Sequence, residues 1–161
     1  MSTSSTIIGL ALLFLFILPV VVMARSGKAK KKRMLNDLMS EALKNSASIT
    51  ESDSWDDSAL GLDTQNKKIV YIIEKGSDKK ASIFSLSELK SFRTTPDMKN
   101  NNGQKPNLEN ANNMSLIFSF KDPAKSEINI SFYIAGFGRM TKTEKDLFEK
   151  WSGLILKFHE P

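Results

Sequence analysis

The side chains that most often catalyse reactions or hold metals are nearly absent from this chain. It has no cysteine, which excludes disulfides, thiolate nucleophiles and Cys-based zinc sites, and its single histidine, His159, lies close to the C-terminus. A His-dependent catalytic triad and a multi-His metal site are therefore also excluded. Ser and Thr are plentiful, but none stands beside a general base in an interpretable pattern. The composition predicts a protein that is not an enzyme and that uses no cofactor or metal.

Two short stretches have the composition of ligand sites without the spacing. The acidic stretch ITESDSWDDS (49–58) lacks the Gly and the bidentate Glu of a calcium loop, so it is expected to be a solvated entry loop with Trp55 as its packing anchor. The residues Gly136-Phe137-Gly138-Arg139 could cradle an anion at the start of the last helix. A flexible connection between a strand and a helix explains the two glycines more simply.

An apolar segment near the N-terminus predicts where the protein works. After a short tail (1–6), Ile7–Ala24 is an uncharged run of 18 residues. As a helix it spans roughly 27 Å, close to the ~30 Å hydrocarbon core of a bilayer. The backbone must satisfy its own hydrogen bonds inside that core, so this segment is predicted to be a transmembrane helix, which tolerates Pro19.

The charges that flank this segment predict its orientation. The preceding MSTSST has no charged side chain, whereas 25–33 forms a basic juxtamembrane collar. The collar residues expected to contact the membrane are Arg25, Lys28, Lys30, Lys31, Lys32 and Arg33. The positive-inside rule then predicts a single-pass protein of the inner (cytoplasmic) membrane, with its N-terminus outside and 25–161 in the cytoplasm.

A cleaved signal peptide is the alternative interpretation of the same segment. Val22-Met23-Ala24 is an acceptable cleavage triplet, and cleavage there would export the domain. The basic n-region of a signal peptide is missing, however, and Arg25 follows the triplet directly. These two features favour a retained anchor.

The net charge of +5 comes from the collar. Six of the 23 Lys and Arg residues lie in 25–33. The other 17 are balanced by the 18 Asp and Glu residues, so the rest of the chain is nearly neutral. A nearly neutral domain does not predict a nucleic-acid surface. About 125 residues follow the collar, which is enough for one modest domain.

Periodicity predicts a helix and then a meander of strands behind the collar. An amphipathic linker helix is expected at 34–47. Its apolar stripe is Leu35, Leu38, Met39, Ala42 and Leu43. Packing of this stripe on the domain is favoured over a helix that continues the membrane span or lies on the membrane surface. Strands are expected at 58–63, 68–74, 80–86 and 88–95.

The second half of the chain predicts a loop, a hairpin and a helix. The Asn-rich segment 96–113 is expected to be a long, mobile loop. Strands follow at 114–120 and 127–135, the latter with Ile128, Ile130, Phe132 and Ile134 on one face. A capping box at 141–144 begins a helix whose apolar residues recur at helical spacing. They are Leu147, Phe148, Trp151, Leu154, Ile155 and Phe158.

The order of about six antiparallel strands and one amphipathic helix resembles the pleckstrin-homology-like (PH-like) fold. The resemblance covers roughly Trp55 to Phe158, and GLDTQNKKIVYII and SIFSLSELKSF are similar to hairpins of small membrane-anchored bacterial PH-like proteins. It implies an α+β domain at 49–161, in which a strongly bent antiparallel sheet is packed by the C-terminal helix. A seventh strand would come from ITESDSW or from the long loop. Phosphoinositide-binding members carry several Lys and Arg around the first hairpin, where this chain has only Lys67 and Lys68.

The sequence therefore predicts a non-enzymatic, membrane-tethered interaction or scaffold module. Its expected partners are the membrane and another membrane protein. The alternatives are an anionic-lipid sensor that uses the collar, and the exported domain described above. Lys67, Lys68 and Arg139 are the candidate anion contacts within the domain.

Overall fold

Two antiparallel sheets and two helices make up the described part of the chain. The computed structural model describes residues 27–98, 106–136 and 139–159. The strands are β1 (Glu51–Trp55), β2 (Ser58–Asp63), β3 (Lys68–Lys75), β4 (Asp78–Ser85), β5 (Leu89–Thr95), β6 (Asn113–Phe120) and β7 (Ile128–Ile134). The helices are α1 (27–44) and α2 (Lys142–Phe158), with short 3-10 helices at Leu86–Glu88 and Leu108–Asn110. The predicted α+β class with antiparallel strands is confirmed.

The strands form two sheets, with the orders β1-β2-β3-β4 and β5-β6-β7. Within each sheet, strands that are consecutive in sequence pair, as expected for a meander. The consecutive strands β4 and β5 belong to different sheets, so there are two sheets where one strongly bent sheet was expected. The four strands predicted at 58–95 and the two predicted after the long loop are all present, with ends within two residues of the expected ones. The predicted face of the last strand is correct except at its end, where Ile134 is exposed.

The first strand, β1, lies where the sequence predicted a solvated loop. It pairs with β2 from Glu51 opposite Leu62 to Trp55 opposite Ser58. The loop prediction was wrong because an edge strand can carry polar side chains when another element supplies their partners. Those partners come from α2, as described below.

Trp55 is the packing anchor that the sequence predicted. Its ring is buried and stacks on Phe132 of β7, with the ring centroids 4.4 Å apart. Its indole N–H donates to the carbonyl oxygen of Ser131 at 3.1 Å. These contacts connect the edge strand of the first sheet to the second sheet.

The main core lies between the two sheets and α2. Inward side chains of alternating strand residues fill it, among them Leu60, Ile69, Phe84, Phe118 and Ile130. Part of the predicted loop 96–113 also reaches it, because Leu108 is buried there, while 99–105 lies outside the described residues. Large apolar side chains on both sheets therefore depend on one another and on α2 for burial.

Helix α2 begins at the predicted capping box. Thr141 Oγ1 accepts a hydrogen bond from the N–H of Glu144, and Glu144 Oε2 accepts one from the N–H of Thr141. The predicted stripe faces the core, where Phe148, Trp151 and Ile155 are fully buried. The largest side chain of α2, Trp151, is thus enclosed by the main core.

Helix α1 covers the opposite face of the first sheet and forms a second core. Met34, Leu38 and Ala42 pack there with Ala59 of β2 and with Val70 and Ile72 of β3. The expectation that this helix packs on the domain is confirmed. Because α1 covers one face and the main core covers the other, every residue of β2 is buried.

The position of α1 differs from the predicted linker helix in two ways. The helix already runs at residue 27, so it includes the described part of the collar, and it ends at 44. Its buried stripe includes Met34 in place of Met39 and Leu43, which are 38% and 77% exposed. Contact with the sheet decides which side of the helix is buried, and the spacing of apolar residues alone does not contain that information.

Gly61 permits the close approach of α1 to β2. A Cβ atom at this position would lie 2.9 Å from Leu38 Cδ2 and 3.2 Å from Ile49 Cδ1. Both distances are shorter than ordinary van der Waals contact, and Leu38 is fully buried and has no free space to move into. The absence of a side chain at Gly61 is therefore part of how the helix fits the sheet.

The substitution Trp151→Ala should lower the free energy of unfolding by about 3–5 kcal/mol, because it leaves a cavity in the main core. Denaturant unfolding of residues 27–161 measures this loss. Trp151→Phe is the matched control and should cost less, because it keeps a large ring. An unchanged melting temperature for Trp151→Ala would contradict the buried position.

Gly61→Ala and Gly153→Ala should change stability in opposite directions. Gly61→Ala forces Leu38 to move and should destabilise the domain by about 1–3 kcal/mol. Gly153 lies in α2 with open space around it, so Gly153→Ala should stabilise by up to about 1 kcal/mol through helix propensity. Thermal unfolding of the two variants makes the comparison, and a neutral Gly61→Ala would contradict the close packing of α1.

Candidate functional site

The first turns of α1 lie against the ends of two hairpins of the first sheet. Lys30 forms an ion pair with Asp57 in the β1–β2 turn. Arg33 Nη2 lies 2.5 Å from Glu74 Oε2, near the β3–β4 turn. Two residues of the predicted lipid-contacting collar are thus bound to carboxylates of the domain. The sequence pattern contained no signal for this, because the partners lie 27 and 41 residues away.

Two cavities flank these ion pairs. A cavity of about 610 Å³ is lined by Ala29, Lys30, Arg33, Asp57, Glu74 and Gly76. A second, of about 590 Å³, lies on the other side of Lys30 and is lined by Gly27, Lys30, Lys31, Ser54, Trp55, Asp56 and Asp57. Carboxylates offset the cations that line both cavities, so neither has the excess of positive charge that a phosphate site needs.

Asp56 adds to the negative charge at this end of the domain. Burial raises the pKa of its carboxyl, and the charges of Glu144 and Asp57 raise it further, while Lys30 lowers it. Glu144 belongs to the first turn of α2, so the start of α2 lies within electrostatic range of the β1–β2 turn. The start of α1, the β1–β2 turn and the start of α2 therefore share one end of the domain.

The other described collar residues are on the surface. Lys28, Lys31 and Lys32 are exposed, and no ion pair holds their side chains within residues 27–98, 106–136 and 139–159. Arg25 lies outside the described residues. The collar is therefore divided, with Lys30 and Arg33 held by the domain and the remaining described lysines turned to solvent.

Lys67 and Lys68 lie at the other end of the first sheet. Lys67 is exposed in the β2–β3 turn, whereas Lys68 Nζ donates to the carbonyl oxygen of Asn45 at 3.1 Å, just after the end of α1. Because α1 is about 27 Å long, these lysines are separated from the collar by roughly the length of the helix. The structure does not bring the two predicted basic groups together.

Arg139 is exposed and lies two residues before the N-cap of α2, at the end of the domain that also holds the start of α1. No described contact joins it to Lys67 or Lys68. The three candidate anion contacts predicted from the sequence therefore do not form one site.

The acidic stretch that was considered for calcium binds a lysine and a tryptophan of α2. Lys150 Nζ lies 2.8 Å from Asp53 Oδ2 and 3.1 Å from Glu51 Oε2, and the indole N–H of Trp151 donates to the same Asp53 oxygen at 3.1 Å. Burial alone would lower the pKa of Lys150, but its hydrogen bonds to Asp53 and Glu51 outweigh that effect and raise it. This cluster attaches α2 to the edge strand β1.

Among the described residues, no group of three or more His, Asp or Glu side chains is placed to hold a metal ion. His159 is half-buried at the end of α2. The backbone N–H of His159 donates to the carbonyl oxygen of Ile155 at 2.8 Å, and the imidazole ring lies edge-on to the ring of Phe92. The histidine thus ends α2 and packs against β5.

Asp63 organises the end of the sheet where α1 finishes. Its buried carboxylate accepts hydrogen bonds from the backbone of Ser48, Gln65 and Asn66 and from the side-chain amide of Asn66. Burial alone would raise its pKa, but these donors outweigh burial and lower it to about 2. One carboxylate therefore holds both the segment after α1 and the β2–β3 turn.

The comparisons with known proteins return no relative, since no protein-family model, curated protein or solved structure matches the chain. None of the helices in the described ranges is long and apolar enough to cross a membrane. The predicted anchor, Ile7–Ala24, lies outside those ranges.

The carboxylate of Asp63 should make stability depend on pH below about 4. The pKa of the folded group, about 2, is lower than that of an unfolded aspartate, about 3.9. Its stabilisation is thus complete above pH 4 and is lost as the pH falls towards 2. Asp63→Asn should flatten this dependence and cost about 1–3 kcal/mol at pH 7. Urea unfolding from pH 7 to 2 measures both effects. Asp78→Asn, at the exposed start of β4, is the control, and an unchanged slope for Asp63→Asn would contradict the assignment.

Proposed function

We propose that this protein is a non-enzymatic interaction module that is tethered to the inner membrane and braces or recruits another membrane protein. In this proposal Ile7–Ala24 is the single-pass anchor, the N-terminus is outside, and the domain lies in the cytoplasm. The basic collar beside the apolar run supports this orientation.

The observation that carries the proposal is that α1 is built into the domain. Only residues 25 and 26 separate the predicted anchor from the first described residue of α1. Met34, Leu38 and Ala42 then pack into the second core, so no flexible linker lies between α1 and the first sheet. A domain joined so closely to its anchor samples few orientations, which suits a brace and lowers the entropy lost on binding a neighbour in the membrane.

The sheet topology supports the PH-like part of the proposal. The domain has seven antiparallel strands, in sheets of four and three, that precede a C-terminal helix with its tryptophan in the core. Strand β1 provides the seventh strand and lies within ITESDSW, one of the two segments from which such a strand was expected. PH-like domains serve mainly as binding modules, so this likeness favours a partner over a substrate.

A tether of altered length tests the bracing function. We expect crosslinking in intact cells, followed by purification in mild detergent, to recover the full chain with a stoichiometric membrane partner. A flexible Gly-Ser insert between Ser26 and Gly27 should reduce the crosslinked yield several-fold, because it loosens the domain from the anchor.

The same insert after Pro161 is the matched control and should leave the yield unchanged. Recovery of the wild-type chain alone, under several crosslinking conditions, would contradict the proposal. A reporter enzyme that works only outside the cytoplasm can be fused to the C-terminus to test the orientation. Activity of this reporter would contradict the proposed orientation and favour the exported alternative.

A further inference from the structure

One side of α1 takes no part in the second core and carries both cationic and apolar groups. At about 100° per residue, Lys28, Lys32, Met39 and Leu43 fall within about 60° of one another around the helix axis. These four residues define what we call the outward face. The buried residues Met34, Leu38 and Ala42 lie on a neighbouring sector, against the sheet.

The outward face exposes apolar surface that the domain does not cover. Met39 is 38% exposed and Leu43 is 77% exposed, and the only other large apolar side chain this exposed in the described ranges is Ile134. Met39 and Leu43 are one helical turn apart, so they form a single continuous patch.

The charges of α1 are separated around the helix in the same way. Its acidic residues point to other sectors, where Asp37 pairs with Lys79 and Glu41 pairs with Lys44. The outward face carries Lys28 and Lys32 and no carboxylate, and both lysines are exposed. The face thus combines positive charge near the start of the helix with apolar side chains near its end, which is the composition of an interfacial membrane helix.

The position of α1 in the chain decides which occupant fits this face. The apolar run ends at Ala24, so in the proposed tether α1 starts at the level of the lipid headgroups. A helix that pointed away from the bilayer would carry Leu43 about 27 Å into water. A helix that lay in the membrane plane would place both lysines at the headgroups and both apolar side chains at the acyl boundary.

We propose that the outward face of α1 docks in the plane of an anionic lipid surface, with Lys28 and Lys32 at the phosphates and Met39 and Leu43 inserted beneath them. This proposal rests on the membrane tether proposed above and adds the lipid contact and the orientation of the domain. Since the buried sector of α1 neighbours the docked face rather than lying opposite to it, docking places the first sheet beside the bilayer at a steep angle to its plane. The collar pairs Lys30–Asp57 and Arg33–Glu74 then position the helix on the domain rather than bind lipid.

A single fluorescent label tests this orientation, because the chain has no cysteine of its own. Leu43→Cys and Lys44→Cys each receive an environment-sensitive dye in the full chain, which is then reconstituted into vesicles of phosphatidylcholine with about one third phosphatidylglycerol. The two positions are adjacent along the helix but about 100° apart around it. We expect the dye at position 43 to be blue-shifted and quenched several-fold less by acrylamide than the dye at 44.

Two further samples identify the contact. In vesicles of phosphatidylcholine alone, and in the Lys28→Gln/Lys32→Gln variant in anionic vesicles, the protection of position 43 should fall by at least half. Equal quenching at 43 and 44 in anionic vesicles would overturn the proposal. Protection that persists in detergent, or that grows with the protein-to-lipid ratio, would also overturn it and indicate a second copy of the chain on this face.

Flotation of the same vesicles after an alkaline wash distinguishes a failure of the docking proposal from a failure of the proposed tether. If the protein does not float, the tether and the docking proposal both fail. If it floats while the dye at position 43 is as accessible as the dye at 44, the docking proposal alone fails.

Discussion

The first sheet separates two hydrophobic cores, and the rest of the structure depends on both faces of this sheet being apolar. Strand β2 is completely buried, and β3 alternates between the cores, with Ile69 and Tyr71 on one side and Val70 and Ile72 on the other. Burial of each large apolar side chain contributes about 1.5–3 kcal/mol, so removing either layer would expose a large apolar area. The domain therefore needs α1 as much as it needs the second sheet.

Carboxylates of the first sheet and its turns fix the orientation of both helices relative to this sheet. Asp53 holds Lys150 and Trp151 of α2, while Asp57 and Glu74 hold cations of α1. Exposed ion pairs contribute only about 0–1 kcal/mol each, so the apolar cores supply the stability and these pairs select the orientation. The arrangement also explains a nearly neutral domain behind a basic collar, since acidic side chains of the sheet meet basic side chains of the helices.

The helices and strands that could be predicted from the sequence are those marked by a pattern of neighbouring residues. The capping box at Thr141 and the alternation of β6 and β7 identify their elements without knowledge of the fold. Strand β1 was missed because the partners of its polar side chains lie on α2, 97 and 98 residues further along the chain. The buried stripe of α1 was predicted in part, with Leu38 and Ala42 correct, but the choice between Met34 and Met39 depends on the surface of the sheet. None of the candidate anion contacts could be grouped from sequence, since Lys67 and Arg139 belong to regions that only the fold positions.

The placement of α1 also limits where a partner can bind. In the proposed tether, the start of α1 marks the membrane end of the domain, and the β2–β3 turn with Lys67 lies roughly one helix length away from that point. If α1 lies in the membrane plane, its docked face is covered by lipid, and a partner must bind elsewhere on the domain. The height of such a partner above the bilayer is then determined by how α1 packs on the first sheet. Because α1 is part of the folded domain, that height is a property of the fold and does not vary with a flexible linker.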